Sequence, residues 1–183
     1  MDHLPDGWHP RPMTLPLALL VSCALALTVA GPARSDDAPW QAGDRIEAFE
    51  LADPHDAPGR VDETVRLVLF TADMDAGKIV QEALADPALQ DLAAHGAAYV
   101  ADVSRMPALV TRLFALPSMR RRPYRTLLDP GPGPTVRMPR EPGKVTLLEL
   151  DALTVRSVRF ADAPETVASA VRGRPAGRAL APR

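Results

Sequence analysis

Two carboxylates at the start of a predicted helix are the first candidates for chemistry. Asp73 and Asp75 follow a continuous apolar run, Leu67–Phe70, that is typical of a buried strand. Such residues often cap a helix and favour its positive end, which is a structural role. Alternatively, they form a small polar site for a ligand, or for a cation together with Asp102 or Asp129. Calcium would need more help, because it takes about 6–8 oxygen ligands.

A cluster of arginines is the strongest local charge feature. Arg120, Arg121 and Arg122 are consecutive, and Arg112 and Arg125 lie nearby in the sequence. One interpretation is a solvated basic loop. The other is a site for an anion or a partner, because guanidinium groups bind carboxylates and phosphates through paired hydrogen bonds. The sequence leaves both interpretations open.

Other catalytic and ligand-binding motifs have no support in the sequence. His55 and His95 are isolated and do not have the spacing of metal ligands. Ser104 and Ser118 lack the accompanying histidine and aspartate of a nucleophilic serine. No glycine-rich phosphate or dinucleotide fingerprint follows a strand. We therefore expect no catalytic residue, no metal and no cofactor.

The N-terminal segment predicts export. An apolar run, Leu15–Ala30, is followed by small residues and then by acidic ones, as in a secretory signal peptide. The run is short for a membrane span, which needs about 20 apolar residues. We expect residues 1–33 to be a signal peptide, so that the mature protein is periplasmic and has no transmembrane span.

Cys23 is the only cysteine of the chain, and it lies within this apolar run. The preferred interpretation is a small apolar residue of the leader. The alternative is that Leu20–Cys23 is a bacterial lipobox, which would give a lipid-anchored protein. However, Ala24–Ala30 is still apolar, whereas a lipoprotein usually continues with a polar tether. Both interpretations leave the folded domain without a free thiol or a disulfide, so we expect no thiol chemistry.

Composition favours one domain of modest charge. The chain has 183 residues and a formal net charge of -2, which gives no support for general nucleic-acid binding. We expect a mature N-terminal segment at residues 34–42 and a domain at residues 43–172. The tail, residues 173–183, is rich in arginine, proline, glycine and alanine, and we expect it to be disordered.

Apolar periodicity predicts alternating strands and helices along the domain. The predicted elements, in chain order, are a strand at 67–70, a helix at 76–85, a helix from Asp86 to about Gly96, a strand at 97–101, a helix capped by Ser104, a strand at 126–128, a hairpin of 145–150 and 154–160, and a helix that opens with a capping box at 162–165. Four apolar side chains near the Ser104 helix are interpreted as core: Met106, Leu109, Leu113 and Phe114.

This order of elements resembles the thioredoxin fold. Four segments are similar to those of peroxiredoxins and related periplasmic thioredoxin-like proteins: Gly43–Asp53, Leu67–Ala72, Tyr99–Val103 and Arg122–Leu128. The resemblance covers about residues 43–172. It implies an α/β fold, a thioredoxin-like three-layer sandwich with a central mixed β-sheet. It also implies a cis peptide bond between Arg122 and Pro123.

The active-site segment departs from that family. Thioredoxins and peroxiredoxins carry their catalytic cysteines between the first strand and its helix, where this chain has Asp73–Lys78. The resemblance therefore implies the fold without the redox activity. It also implies that the loop around Pro123 faces this helix, so we expect an ion pair between Arg122 and one of the two aspartates. The candidate binding residues of this degenerate active-site region are Asp73, Met74, Asp75, Arg122 and Pro123.

Three functions are compatible with the sequence. The first is a periplasmic binding or adaptor module for an envelope protein or a small ligand. The second is an enzyme that uses Asp73, Asp75 and Arg122 for non-thiol chemistry. The third is a lipid-anchored envelope assembly factor, if Cys23 is lipidated. An exposed apolar patch would favour the first function, and a pocket with converging carboxylates and arginines would favour the second.

Overall fold

The computed structural model describes residues 38–131 and 133–173. A seven-stranded mixed sheet lies at the centre of this part of the chain. The strands are β1 (Phe49–Ala52), β2 (Pro58–Val61), β3 (Leu67–Thr71), β4 (Ala97–Asp102), β5 (Leu127–Asp129), β6 (Val145–Asp151) and β7 (Thr154–Ala161). Their spatial order is β2-β1-β5-β4-β3-β6-β7. β3, β4 and β5 are parallel, and the other pairs are antiparallel. The predicted α/β fold with a central mixed sheet is confirmed.

Several predicted segments lie outside the described residues. These are the signal peptide at 1–33 with Cys23, the first part of the segment at 34–42, and the basic tail beyond Gly173. Within the part of the chain that the structure describes, no helix is long and apolar enough to span a bilayer.

Four short helices accompany the sheet. They are α1 (Met74–Ala83), α2 (Ala108–Val110), α3 (Leu116–Arg120) and α4 (Pro164–Arg172). A π-helical turn, Thr111–Ala115, joins α2 directly to α3. Two 3₁₀ turns, Pro87–Leu89 and Pro134–Arg137, complete the helical structure of the described residues.

The helix predicted from Asp86 to about Gly96 is wrong in its extent. Asp86 does cap a helical turn, because its side chain accepts a hydrogen bond from the Ala88 amide, but that turn ends at Leu89. Asp91 then accepts a hydrogen bond from the Ala94 amide, and this local turn competes with helix continuation.

Two predicted helix caps are also wrong. Ser104 does not cap a helix, because its amide and hydroxyl both donate to the Asp102 carboxylate at the end of β4. Helix α4 begins at Pro164, and its N-cap residue Ala163 makes no side-chain capping bond. Proline suits the first helical position because its fixed φ is already helical and its missing N–H is not needed there.

Alternation along the strands gives the sheet two apolar faces. In β3, Leu67 and Leu69 point to one face while Val68 and Phe70 point to the other, and all four are buried. The first face packs against buried side chains of α1 and α4, among them Val80 and Val167. The second face packs against the N-terminal segment through Trp40 and Ile46 and against Met138.

The predicted β6–β7 hairpin is confirmed. Its turn residues Ala152 and Leu153 have positive φ angles of 46° and 65°. Both residues fall in the left-handed region that a tight two-residue hairpin requires. Next to the turn, Asp151 pairs with Thr154; the register then shifts by one residue between Glu149 and Leu150, so that Val145 pairs with Ala161.

Candidate functional site

The main candidate site is a pocket at the carboxyl ends of β3 and β4. These parallel strands pair Thr71 with Ala101, so they end at the same edge of the sheet. The chain leaves β3 into α1 and leaves β4 towards α2 and α3, and both segments pack on the same face of the sheet. The pocket lies between these two segments and the strand ends. Here it has a cavity volume of about 400 Å³.

The floor of this pocket is polar. The hydroxyls of Thr71 and Tyr99 lie 3.1 Å apart and form a hydrogen bond, and both side chains are buried. Burial raises the pKa of Tyr99 above its ordinary value, and the nearby charge of Arg122 only partly offsets this effect. The phenol therefore stays neutral and serves as a hydrogen-bonding group rather than as a base.

The walls of the pocket are largely apolar. The apolar side chains that line it come from α1 and from the segment around α2 and α3, and they are Met74, Met106, Val110, Phe114, Ala115 and Met119. Methionine side chains are flexible and polarisable, which suits them to ligands of irregular shape.

Asp73 has a structural role at the edge of this pocket. One carboxylate oxygen accepts a hydrogen bond from the Ala76 amide at 2.9 Å, so Asp73 is the one of the two aspartates that caps α1. The other oxygen accepts a hydrogen bond from the Gly143 amide at 2.8 Å. Both oxygens therefore have backbone donors, and the carboxylate has the environment of a helix cap.

Asp75 and Arg122 do not form the predicted ion pair. Asp75 is exposed and pairs with Lys78 at 2.8 Å, and this hydrogen bond and charge lower the pKa of its carboxyl. Arg122 instead lies against Tyr124, with its guanidinium carbon 5.9 Å from the ring centroid. Among the described residues, no salt bridge links Arg122 to Asp73 or Asp75. The ion-pair prediction is therefore wrong.

Pro123 does not occupy the predicted position either. All peptide bonds of the described residues are trans, so the predicted cis bond after Arg122 is wrong. Pro123 lies in the bend after α3, several residues before β5 begins at Leu127. The loop that faces the start of α1 is the one before β6, through Gly143. Of the five predicted site residues, Asp73, Met74 and Arg122 line the pocket, whereas Asp75 and Pro123 do not.

Two arginines of the basic cluster fasten the β1–β2 hairpin. Arg120 donates from Nε to the carbonyl oxygen of Pro54 at 2.6 Å. Arg125 pairs with Asp53 at 3.0 Å and donates to the carbonyl oxygen of Pro58 at 2.7 Å. Their role is structural. Arg121 is exposed and Arg122 is half-buried, and both line a second cavity beside Pro123.

The carboxylates that could have formed a cation site are occupied elsewhere. Asp102 pairs with Arg140 at 3.0 Å and accepts two hydrogen bonds from Ser104. Asp129 accepts bonds from the amide and hydroxyl of Thr135. In residues 38–131 and 133–173, no group of three or more histidine, cysteine, aspartate or glutamate side chains could hold a metal ion.

An exposed apolar patch borders the pocket. It consists of five side chains, with exposed fractions of 70%, 69%, 44%, 58% and 69%: Met74, Leu109, Val110, Leu113 and Phe114. Val110 and Phe114 lie one turn apart in α2 and the π-turn, and together with Met74 they also line the pocket. Patch and pocket are therefore continuous.

The prediction that Leu109, Leu113 and Phe114 belong to the core is wrong. The segment packs on the domain through its two ends, where Met106 and Met119 are partly buried. The π-turn between α2 and α3 adds one residue per turn and so rotates the side chains that follow. Helical spacing of apolar residues is the same for a core face and for an exposed face, so this spacing could not separate the two.

Strand order and helix placement together define a thioredoxin-like fold. The solution structure of a candidate protein disulfide isomerase from Bacteroides thetaiotaomicron superimposes with a TM-score of 0.50 at 16% identity, covering 73% of this chain and 87% of that one. A candidate thiol:disulfide interchange protein DsbE from Chlorobium tepidum gives a TM-score of 0.49 at 16% identity, covering 74% and 98%. The peroxidoxin BcpB from Mycobacterium tuberculosis gives 0.48 at 21% identity, covering 73% and 97%.

Sequence comparison adds nothing to this structural likeness. No protein-family model matches the chain, and no curated protein sequence is detectably similar to it. Function is therefore inferred from the site itself. That site has no thiol, because the only cysteine of the chain, Cys23, precedes the described residues.

Proposed function

We propose that this protein is an exported thioredoxin-fold binding or adaptor module that works in the periplasm without thiol redox chemistry. The observation that carries the proposal is the exposed apolar patch of Met74, Leu109, Val110, Leu113 and Phe114. Three of its members, Met74, Val110 and Phe114, also line the pocket. Contiguous exposed apolar side chains on a soluble domain are typical of surfaces that bind a partner or a ligand.

The chemistry of the pocket supports binding rather than catalysis. A helix N-terminus activates a cysteine by stabilising its thiolate, and α1 has no cysteine at its start. The second function compatible with the sequence, an enzyme, requires Asp73, Asp75 and Arg122 to converge. Asp73 is held by two amides and Asp75 by Lys78, so neither carboxylate is directed at a common reacting atom with Arg122.

Export is the part of the proposal that rests on the sequence alone. The apolar run Leu15–Ala30 and the small residues after it support removal of a signal peptide near Ala33. The intact mass of the protein recovered from a periplasmic fraction tests this. A mass that corresponds to cleavage between Gly31 and Asp36 supports export, whereas a mass that includes a lipidated Cys23 supports the anchored alternative.

The binding function is tested by comparing variants of the patch in affinity capture from the native envelope fraction. Leu109→Ser and Phe114→Ser remove exposed apolar surface without entering the core, so the fold should remain intact. Val136→Ser is the matched control, because Val136 is also an exposed apolar residue, at 62%, but lies on the 3₁₀ turn away from the pocket.

We expect one or more partners or ligands to be retained by the wild-type chain and by Val136→Ser, and to be lost from Leu109→Ser and Phe114→Ser. Circular dichroism and thermal unfolding would verify that all variants are folded. Equal capture by the patch variants and the control would contradict a binding role for this surface.

A further inference from the structure

The charged side chains of the pocket that have no partner of opposite charge among the described residues indicate which class of ligand it binds. This inference rests on the proposed binding function. The two acidic side chains that line the pocket already have hydrogen-bond partners. Asp102 is paired with Arg140, and the two oxygens of the Asp73 carboxylate accept hydrogen bonds from the Ala76 and Gly143 amides. These carboxylates therefore favour a cationic ligand less than carboxylates without partners would.

The positive charge at this site comes from arginine side chains. Arg122 is half-buried and lines the pocket, and in the described part of the chain no carboxylate forms a salt bridge with Arg121 or Arg122. A guanidinium with part of its hydration removed and no carboxylate partner binds an anion more strongly than an exposed, paired one does.

Arg122 also connects two adjacent cavities. It lines the apolar pocket of about 400 Å³ and a neighbouring, more polar cavity of about 440 Å³ that includes Arg121 and Pro123. Gln81 and Ser118 likewise line both cavities, so the two cavities adjoin at these side chains. We call the pair the groove; its first cavity is largely apolar, and its second is lined by both Arg121 and Arg122.

We propose that this groove binds an amphipathic anion, a small molecule with an apolar chain or ring system and a single carboxylate or phosphate head. The apolar part would lie in the pocket against Met106, Phe114 and Met119. The anionic head would lie between Arg121 and Arg122. A volume of this size and an apolar lining with few polar groups are typical of small-molecule sites. A free carboxylate amphiphile and a phosphate-headed lipid derivative share this chemistry, and the probes below distinguish them.

Calorimetric titration of the full chain tests the proposal with four twelve-carbon probes, each below its critical micelle concentration. Dodecanoate and dodecyl phosphate carry the two anionic heads. Dodecanol is neutral, and dodecyltrimethylammonium is cationic. We expect one or both anions to bind with a stoichiometry of one, at least about tenfold more tightly than the other two probes. A preference between dodecanoate and dodecyl phosphate would identify the head group.

Substitution of the arginines provides the second measurement. Arg122→Gln should weaken binding of the anions by about tenfold or more and leave dodecanol unaffected. Arg122→Lys should lose less affinity for the anions than Arg122→Gln, because lysine keeps the positive charge but not the planar guanidinium group. Arg60→Gln, which removes an exposed arginine on β2 that pairs with Asp62, is the matched control and should bind like the wild type.

Equal binding of dodecanol and the two anions would overturn the proposal, as would unchanged anion binding by Arg122→Gln. If no probe binds while capture still depends on Phe114, the amphipathic-anion inference is wrong and the proposed binding function stands. If capture does not depend on the patch, the proposed function fails, and the inference that rests on it fails as well.

Discussion

The Asp73 carboxylate accepts hydrogen bonds from both the Ala76 amide and the Gly143 amide, at 2.9 and 2.8 Å. The first bond caps helix α1, and the second ties that helix to the loop before β6, 70 residues further along the chain. One side chain thus clamps the start of α1 to a loop that is distant in the sequence.

The first prediction concerns this clamp. Asp73→Ala should destabilise the protein by about 1–2 kcal/mol, because it removes a helix cap and a second hydrogen bond. Asp73→Asn should lose less stability, since the side-chain amide oxygen can still cap the helix. The amide nitrogen, however, cannot accept the hydrogen bond from the Gly143 amide. Urea unfolding measures both variants. Asp75→Ala is the control and should cost clearly less than Asp73→Ala, because Asp75 does not cap the helix and its salt bridge to Lys78 is exposed.

The second prediction concerns the absence of the ion pair between Arg122 and Asp75. Because Asp75 pairs with Lys78 and Arg122 lies against Tyr124, the stability effects of Arg122→Ala and Asp75→Ala should add in a double-mutant cycle. Denaturant unfolding of the wild type, both single variants and the double variant measures this. A clear coupling term between the two sites would contradict the arrangement described.

The third prediction concerns close packing between β2 and β5. A Cβ atom on Gly59 would lie 2.3 Å from the Cδ2 atom of buried Leu127. Gly59→Ala should therefore destabilise the protein by about 1–3 kcal/mol through overpacking. Gly131→Ala is the control, because nothing lies within 4 Å of a Cβ atom at that position. Similar unfolding midpoints for the two variants would refute the packing argument.

The fourth prediction concerns acid stability through Asp53. Burial raises the pKa of this carboxyl, but hydrogen bonds from the His55 and Ala57 amides and the charge of Arg125 outweigh burial, so the pKa lies below its ordinary value. A lowered folded-state pKa means that the ionised carboxyl contributes stability above its unfolded pKa, near 3.9. That contribution is lost as the pH falls from about 4 through the folded-state pKa.

Asp53→Asn should therefore lower the free energy of unfolding near neutral pH, and its difference from the wild type should shrink as the pH falls below about 4. Urea unfolding at a series of pH values measures the difference. Asp56→Asn in the same turn is the matched control, because asparagine tolerates the positive φ of 62° at that position. A difference that grows towards low pH would contradict the prediction.

The fifth prediction is the absence of thiol redox turnover. Cys23 is the only cysteine in the chain, and it lies in the predicted leader. Insulin reduction and peroxide consumption by the leaderless protein should equal the buffer blank, because no thiolate is present to attack a disulfide or a peroxide. A rate clearly above the blank in metal-free and flavin-free protein would contradict the prediction and show that groups other than a thiol catalyse the reaction.

Short-range patterns in the sequence were sufficient to predict much of the fold. The continuous apolar run at β3, a helix cap by Asp73 or Asp75 and the β6–β7 hairpin all depend on neighbouring residues, and the structure has each of them. The β1–β2 hairpin was not resolved from the sequence into its two strands. It is held by Arg120 and Arg125 from a distant part of the chain, which no local pattern reports.

The sequence alone determined the lack of a thiol at the start of α1 and the burial of β3 on both faces, because residue identity and a continuous apolar run decide these features. Tertiary structure decided the rest. It directed Arg122 towards Tyr124 instead of Asp75, placed Gly143 rather than Pro123 opposite α1, and exposed Leu109, Leu113 and Phe114. Each of these outcomes depends on which surfaces meet across the fold, and helical spacing does not distinguish an apolar face that packs inward from one left open to bind a partner.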